Sequence, residues 1–426
     1  MCFSLLEETL AKQNLSVRVH FCGVARLAEL LRPLAPHCRA ALVAGEGEAP
    51  FLLAGVRENL REFRPVCVVL GENEGEGGLF SLPDDVRIAV GAGETGIAAA
   101  RYFATVRGCR SAALPLVPSA RGCFGRLHGR FSGYPTSLPD LILADGQSMK
   151  GFSPALADTA LSALCAEDLR IHAVFSAKVD KGRDGAEENP KEEIGAFSAS
   201  ASDARNGRES KKTDPDAAKF VYEPLADCAD DAAGREKLFA LDALYRIALS
   251  KFPPFPSVEA LEAERRSSRG RGGIAFALLH FFTLAEERLF GQGSPRAYFV
   301  PAYAARALAA AGYAGLPAAR VLENVQIPSA EESFARVRTF AECRERFLSS
   351  ARILRSFVNK LSLAYFAAGG EDVRADEKRL FAAFDRAAEL SPLLSVSALC
   401  REFGLLPNPQ RSLSQSLSDL RAASER

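Results

Sequence analysis

The sequence contains no tryptophan, only five histidines and no surplus of charge, since 53 lysines and arginines face 53 aspartates and glutamates. A balanced charge removes the global electrostatic case for nucleic acid or an anionic membrane surface as partner, and leaves small molecules. The histidines (His20, His37, His128, His172 and His280) are little raw material for a metal centre built on imidazole. No apolar run approaches the ~20 residues a membrane-spanning helix needs. The opening "MCFSLLEETLAKQ" carries acids where a secretory signal has a basic start, so the expected location is the cytoplasm. Ten cysteines stand singly with no CxxC pair, which favours buried reduced thiols over disulfides or a zinc knuckle. G-x-S-x-G, P-loop and H-E-x-x-H motifs are missing too.

What is present is a rhythm. A chain of 426 residues exceeds what one core organises, so two domains are expected. From Ser16 to about Val179, apolar strands such as "CRAALVAG", "PVCVVLG", "VRIAVGAG" and "LPDLILAD" alternate with helical patterns such as "GIAAARYFATV". That alternation predicts βαβ units: a Rossmann-like, mostly parallel sheet with helices on both faces, over residues 1–150. Residues 151–179 begin a helical domain. The stretch 180–218 is rich in Gly, Ser, Asp, Glu and Lys and reads as a disordered insertion, with a lid as the alternative. Helical periodicity, with phenylalanines at helix spacing, fills 219–407 and predicts an all-helical domain, followed by a polar tail over 408–426.

The segment "DVRIAVGAGETGIAAARY" places Gly91-x-Gly93-x-x-Gly96 between a β-branched run and a helix former. A backbone without β-carbons can approach a pyrophosphate, and the free amides of a first helical turn face such an anion. Tight strand-to-helix turns use glycine without any ligand, so both readings stand at this point. A Rossmann fingerprint also needs an acid about twenty residues on, at the end of the next strand. Here that strand, "SAALPLVPSA", ends in proline and serine.

Several short motifs in order resemble another family. Val90-Gly91-Ala92-Gly93, then Val117-Pro118-Ser119, then Leu138-Pro139-Asp140 through Ala144-Asp145 are similar to the nucleotide-binding half of the dehydroquinate synthase-like superfamily. That superfamily includes iron-containing alcohol dehydrogenases and glycerol-1-phosphate dehydrogenases. "SPALADTALSALCAEDLR" resembles the segment carrying a metal-binding aspartate and a second aspartate ten residues on, which maps to Asp158 and Asp168. "AAGYAGLPAARVLENVQIPSAEESFARVRTFAECRERF" looks like the stretch that follows the metal site in glycerol-1-phosphate dehydrogenases. The resemblance implies NAD(P), a divalent metal (Zn, Ni or Fe) acting as Lewis acid, and reduction of a small phosphorylated ketone such as dihydroxyacetone phosphate. It places cofactor contacts at Gly91, Ala92, Gly93, Glu94, Pro118 and Ser119, with Glu46 in the first βα turn as a ribose contact.

The chain departs from the family pattern at the chemistry. Phe276 stands at the first metal-histidine position, with His280 one helical turn later, and Phe290 at the second. Asp158 is then left as the one inherited ligand; His280 is either a shifted ligand and catalytic residue or a hydrogen-bonded core residue. Glu94 replaces a serine of the phosphate loop, Ile97 an aspartate, and Phe124 a later acid. Arg121, Arg126, His128 and Arg130 either clasp a phosphate or lie in a solvated loop, while the basic run Arg265 to Gly273 lacks the aromatics of a nucleic-acid site. Three readings follow: a divergent dehydrogenase, a non-catalytic pseudoenzyme of the same fold acting as a binding or partner protein, and an unrelated α/β enzyme whose loop binds a nucleotide or sugar phosphate. An oligomer is compatible with each.

Overall fold

A computed structural model describes residues 2–71, 77–125, 136–176, 217–249, 271–292, 330–370, 396 and 399–400. The disordered stretch expected over 180–218 lies almost wholly outside the described residues, as do the tail over 408–426 and the basic residues Arg126, His128 and Arg130. The chain divides into two compact units, one of residues 1–155 and 228–250, the other of residues 156–227 and 251–426.

The first unit is built on six strands: β1 (Arg18–His20), β2 (Arg39–Gly45), β3 (Val66–Leu70), β4 (Val86–Ala92), β5 (Arg110–Leu114) and β6 (Leu141–Leu143). All pair in parallel, in the order β1-β6-β5-β4-β2-β3. The period of two in a strand sends alternate residues to opposite faces. On one face Ala40, Leu42 and Ala44 of β2 join Ile88, Val90 and Leu114, under Leu27 and Leu31 of α2 (Leu27–Leu31). On the other, Ala41, Val43 and Ala89 pack beneath Ala99, Ala100 and Phe103 of α3 (Gly93–Arg107). Both faces being covered explains why the strands are nearly continuous apolar runs.

Helix α1 (Cys2–Lys12) packs on α7 (Ala232–Leu249), which belongs to this first unit although its sequence lies in the stretch expected to be the helical domain. Phe21 bridges the two, its ring 4.3 Å from Phe3 and 6.3 Å from Phe239.

The second unit is helical. Its described helices are α5 (Phe152–Ser176, from residue 156 on), α6 (Ala217–Ala226), α8 (Arg271–Gly291) and α9 (Ala330–Ala367). Helix α9 runs against both α8 and α6. Among the described residues no helix is long and apolar enough to cross a membrane. Of the ten cysteines, all unpaired, Cys2, Cys38, Cys123, Cys165, Cys228 and Cys400 are buried, whereas Cys22, Cys67, Cys109 and Cys343 are partly exposed.

Candidate functional site

In a parallel sheet, ligands settle beyond the carboxyl ends of the strands where the chain leaves neighbouring strands in opposite directions. Here that point lies between β2, whose chain continues outward to β3, and β4, whose chain continues to β5 and β6. Gly45 ends β2 and the Gly91 to Glu94 turn ends β4, so the predicted loop sits at the switch point.

Two of the three glycines are explained by packing. A β-carbon on Gly91 would stand 2.3 Å from the Gly96 carbonyl oxygen, and one on Gly96 would stand 2.3 Å from that of Val43. They let α3 lie directly on β2 and β4. Gly93 is different: its φ of +68° belongs to the left-handed region that side chains avoid, and the space above it holds the Glu48 carboxyl group. A β-carbon there would meet Glu48 Oε1 at 2.8 Å, and one on Gly45 would meet Glu48 Oε2 at 2.6 Å. Glu46, the acid expected from the sequence to reach this crevice, is exposed, and Glu48 two residues later is the one folded over the turn by a bond from its amide to the Gly45 carbonyl at 3.2 Å.

Glu94 lies in the first turn of α3, where the helix dipole favours a negative charge. Arg121 of α4 (Arg121–Phe124) approaches its carboxylate to 3.5 Å. Ala92 precedes α3 in extended conformation and supplies no side-chain cap.

The Pro118–Ser119 loop after β5 is held by α7. Asp242, fully buried, accepts the Ser119 hydroxyl at 2.9 Å, the Ala120 amide at 2.7 Å and Arg246 Nε at 2.8 Å. Buried Arg101 of α3 secures the next turn, donating to the carbonyls of Gly122 (2.8 Å), Gly125 (3.1 Å) and Ser137 (3.0 Å). Burial lowers the guanidinium's affinity for its proton. Neither Asp242 nor Arg101 stands out in the sequence; the one signal is the Asp242–Arg246 spacing of four, common on any helix face.

The helical unit does not bring the expected metal positions together. Helix α8 is unbroken from residue 271 to 291, so the fourteen steps from Phe276 to Phe290, at about 1.5 Å each, separate their α-carbons by about 21 Å. Phe276 packs on Tyr365 with ring centres 4.7 Å apart. Phe290 stacks on Phe347 at 4.8 Å and Phe340 at 5.1 Å, while Arg344 takes up its carbonyl and that of Gly291, both at 2.9 Å. His280 is buried with Nε2 at 2.9 Å from the Ser362 hydroxyl oxygen. Ser362 donates its one proton to the Val358 carbonyl at 2.8 Å, so His280 Nε2 is the donor to Ser362 and has no lone pair to offer there.

Asp158 is half-buried on α5, where its carbonyl accepts the Ser162 hydroxyl at 3.1 Å. Asp168 is fully buried, accepts the Val396 amide at 3.0 Å, and is pushed up to about 7, mainly by burial. Among the described residues no group of three or more histidine, cysteine and carboxylate side chains is placed to hold a metal ion. The described residues at the expected metal positions therefore bring no three donors to one point.

Beside Asp168, Glu167 pairs with buried Arg170, which also donates to the Ser350 hydroxyl at 3.2 Å and lies 4.5 Å over the Phe347 ring. Burial, and then the charge of Glu167, raise the Glu286 carboxyl well above the carboxylate range.

No protein-family model and no curated protein matches this chain. Among solved structures, glycerol dehydrogenase from Schizosaccharomyces pombe is similar over 96% of this chain and 89% of its own, at 12% identity and a TM-score of 0.43. Iron-containing alcohol dehydrogenase from Thermococcus thioreducens is similar over 95% and 98% respectively, at 12% identity and a TM-score of 0.46. Maleylacetate reductase from Rhizobium sp. strain MTP-10005 is similar over 95% and 96%, at 10% identity and a TM-score of 0.48.

Proposed function

We propose that this chain is a divergent, dehydrogenase-like protein that binds NAD(P) at the carboxyl ends of β2 and β4 and has lost the catalytic metal centre, acting as a binding protein. The observation that carries the second half is the unbroken α8. It fixes Phe276 and Phe290 about 21 Å apart, each in an aromatic cluster and neither with a lone pair to donate.

Support for the first half is the crevice itself. The switch point, the left-handed Gly93 and the first turn of α3 form a cradle of the kind that takes a pyrophosphate. Arg121 offsets the negative charge that Glu94 brings beside it. The Glu48 carboxyl has to swing off Gly93 before a phosphate can enter, so binding is expected to be weak in the wild-type chain.

Calorimetric titration with NADH and NADPH, metal analysis after dialysis, and an assay with dihydroxyacetone phosphate in added zinc, nickel or iron test both halves together. Weak nucleotide binding, no retained metal and no turnover are expected. Metal-dependent turnover would establish an active dehydrogenase instead, and absence of any nucleotide binding would remove the cofactor assignment.

A further inference from the structure

At the opposite, amino-terminal end of the sheet lies a second concavity, of about 720 Å³, between the starts of β2 and β3. Its volume is in the range of small-molecule sites. Four arginines line it: Arg39 at the first position of β2, Arg57 and Arg61 on successive helical turns, and Arg64 just before β3. One acid, Glu58, shares the wall.

The charges do not balance locally. Glu58 is engaged by Arg61 at 2.5 Å, and Arg39 lies 3.4 Å from Asp85. Arg57 and Arg64 have no carboxylate partner among the described residues. The Arg39 Nε donor is buried and meets no acceptor among them either. Arg57, Arg61 and Arg64 are exposed, so an anion entering the concavity meets guanidinium donors that the described carboxylates leave largely uncompensated. In a protein with no net charge, nothing global requires four arginines at one end of one sheet.

The backbone adds a second oddity at the same place. Arg64 has φ of +44°, a conformation for which glycine is the default residue. Its amide bonds back to the Arg61 carbonyl at 3.0 Å, closing the turn that brings residue 64 beside 61 and 57.

We propose that Arg39, Arg57, Arg61 and Arg64 form a binding site for a compact polyphosphate anion, separate from the nucleotide crevice. Guanidinium groups present paired N–H donors that match phosphate oxygens two at a time, which lysines could not do. Several such forks converging on one cavity select for an anion carrying more than one phosphate. A single phosphate could engage only part of the set.

Titration of the full chain with inorganic tripolyphosphate by calorimetry, at about 50 mM and then 200 mM salt, tests the assignment. Saturable binding at one site is expected at the lower salt, weakened at the higher. The double substitution Arg57→Gln/Arg64→Gln should weaken it at least tenfold while leaving the thermal unfolding transition and NADPH binding unchanged. A control, Arg26→Gln/Arg110→Gln, removes two exposed arginines elsewhere and should alter binding less than twofold. The proposal is overturned if tripolyphosphate does not bind at low salt, if the Arg57/Arg64 pair leaves binding intact, or if the control pair weakens it equally.

Discussion

The Glu48 carboxyl group occupies the space above Gly93, so close that a β-carbon on the glycine would lie 2.8 Å from Glu48 Oε1. The turn proposed to take a phosphate is thus covered by the chain's own Glu48 side chain. Substituting Glu48→Ala empties the cradle and removes a charge that repels phosphate. Binding of NADPH should tighten by about tenfold, or ~1.4 kcal/mol. Calorimetry on the two proteins measures it, and equal affinities would show that the nucleotide does not use this turn.

Gly93 itself tolerates little. With φ of +68° and Glu48 against it, Gly93→Ala strains the backbone and forces Glu48 aside. A loss of about 1–2 kcal/mol from the left-handed conformation alone is expected in urea denaturation. Adding Glu48→Ala to Gly93→Ala should recover whatever part is due to the side-chain clash, leaving the backbone part.

The strands and α3 were legible in the sequence because β-branched runs bounded by glycine and proline repeat with helices between them. What sequence could not supply was tertiary. Glu48 and Gly93 meet only because β2 and β4 are neighbours, and the sequence, which pointed to Glu46, does not single out Glu48 until the Gly45 turn is built. Asp242 looks like any helical acid four residues from an arginine, and its burial beneath Ser119 and Ala120 depends on α7 joining the first unit. Likeness to a family placed Phe276 and Phe290 as two ligands of one ion. The apolar periodicity between them already describes a single helix, whose rise keeps them apart.

Asp168 makes the helical unit sensitive to pH in an unusual direction. Its carboxyl keeps its proton in the folded chain up to about 7, whereas the unfolded chain releases it above 3.8. Between those values the unfolded state binds fewer protons, so stability falls as pH rises, by up to about 4 kcal/mol. Glu286, also raised well above the carboxylate range by burial, adds in the same sense. Asp168→Asn keeps an oxygen for the Val396 amide but has no proton to lose. Urea denaturation at pH 4.5, 6 and 7.5 should show a flatter profile for the variant; parallel profiles would remove Asp168 as the source.

Asp242 is a buried carboxyl group with three donors around it. Asp242→Ala leaves the Arg246 guanidinium, the Ser119 hydroxyl and the Ala120 amide without their common acceptor. Breaking a buried ion pair in this one-sided way costs about 3–5 kcal/mol. The midpoint of chemical unfolding of the first unit should fall accordingly, and Asp242→Asn should lose less because it still accepts from the amide. A loss below about 1 kcal/mol for Asp242→Ala would mean that water replaces the carboxylate freely.

Placing histidines at positions 276 and 290 is a direct test of the expected metal positions. In Phe276→His/Phe290→His two imidazoles stand at the places that the sequence resemblance assigns to ligands, yet α8 holds them about 21 Å apart, whereas two ligands of one zinc lie about 2 Å from the same ion. The variant should therefore retain no more zinc after dialysis than the wild type. It should also be less stable by about 3–5 kcal/mol, because Phe290 stacks on both Phe340 and Phe347 and a smaller polar ring cannot fill that space without burying an unpaired nitrogen. Stoichiometric zinc in the double variant, lost again on returning either residue to phenylalanine, would require α8 to break between the two positions and would reinstate the metal centre.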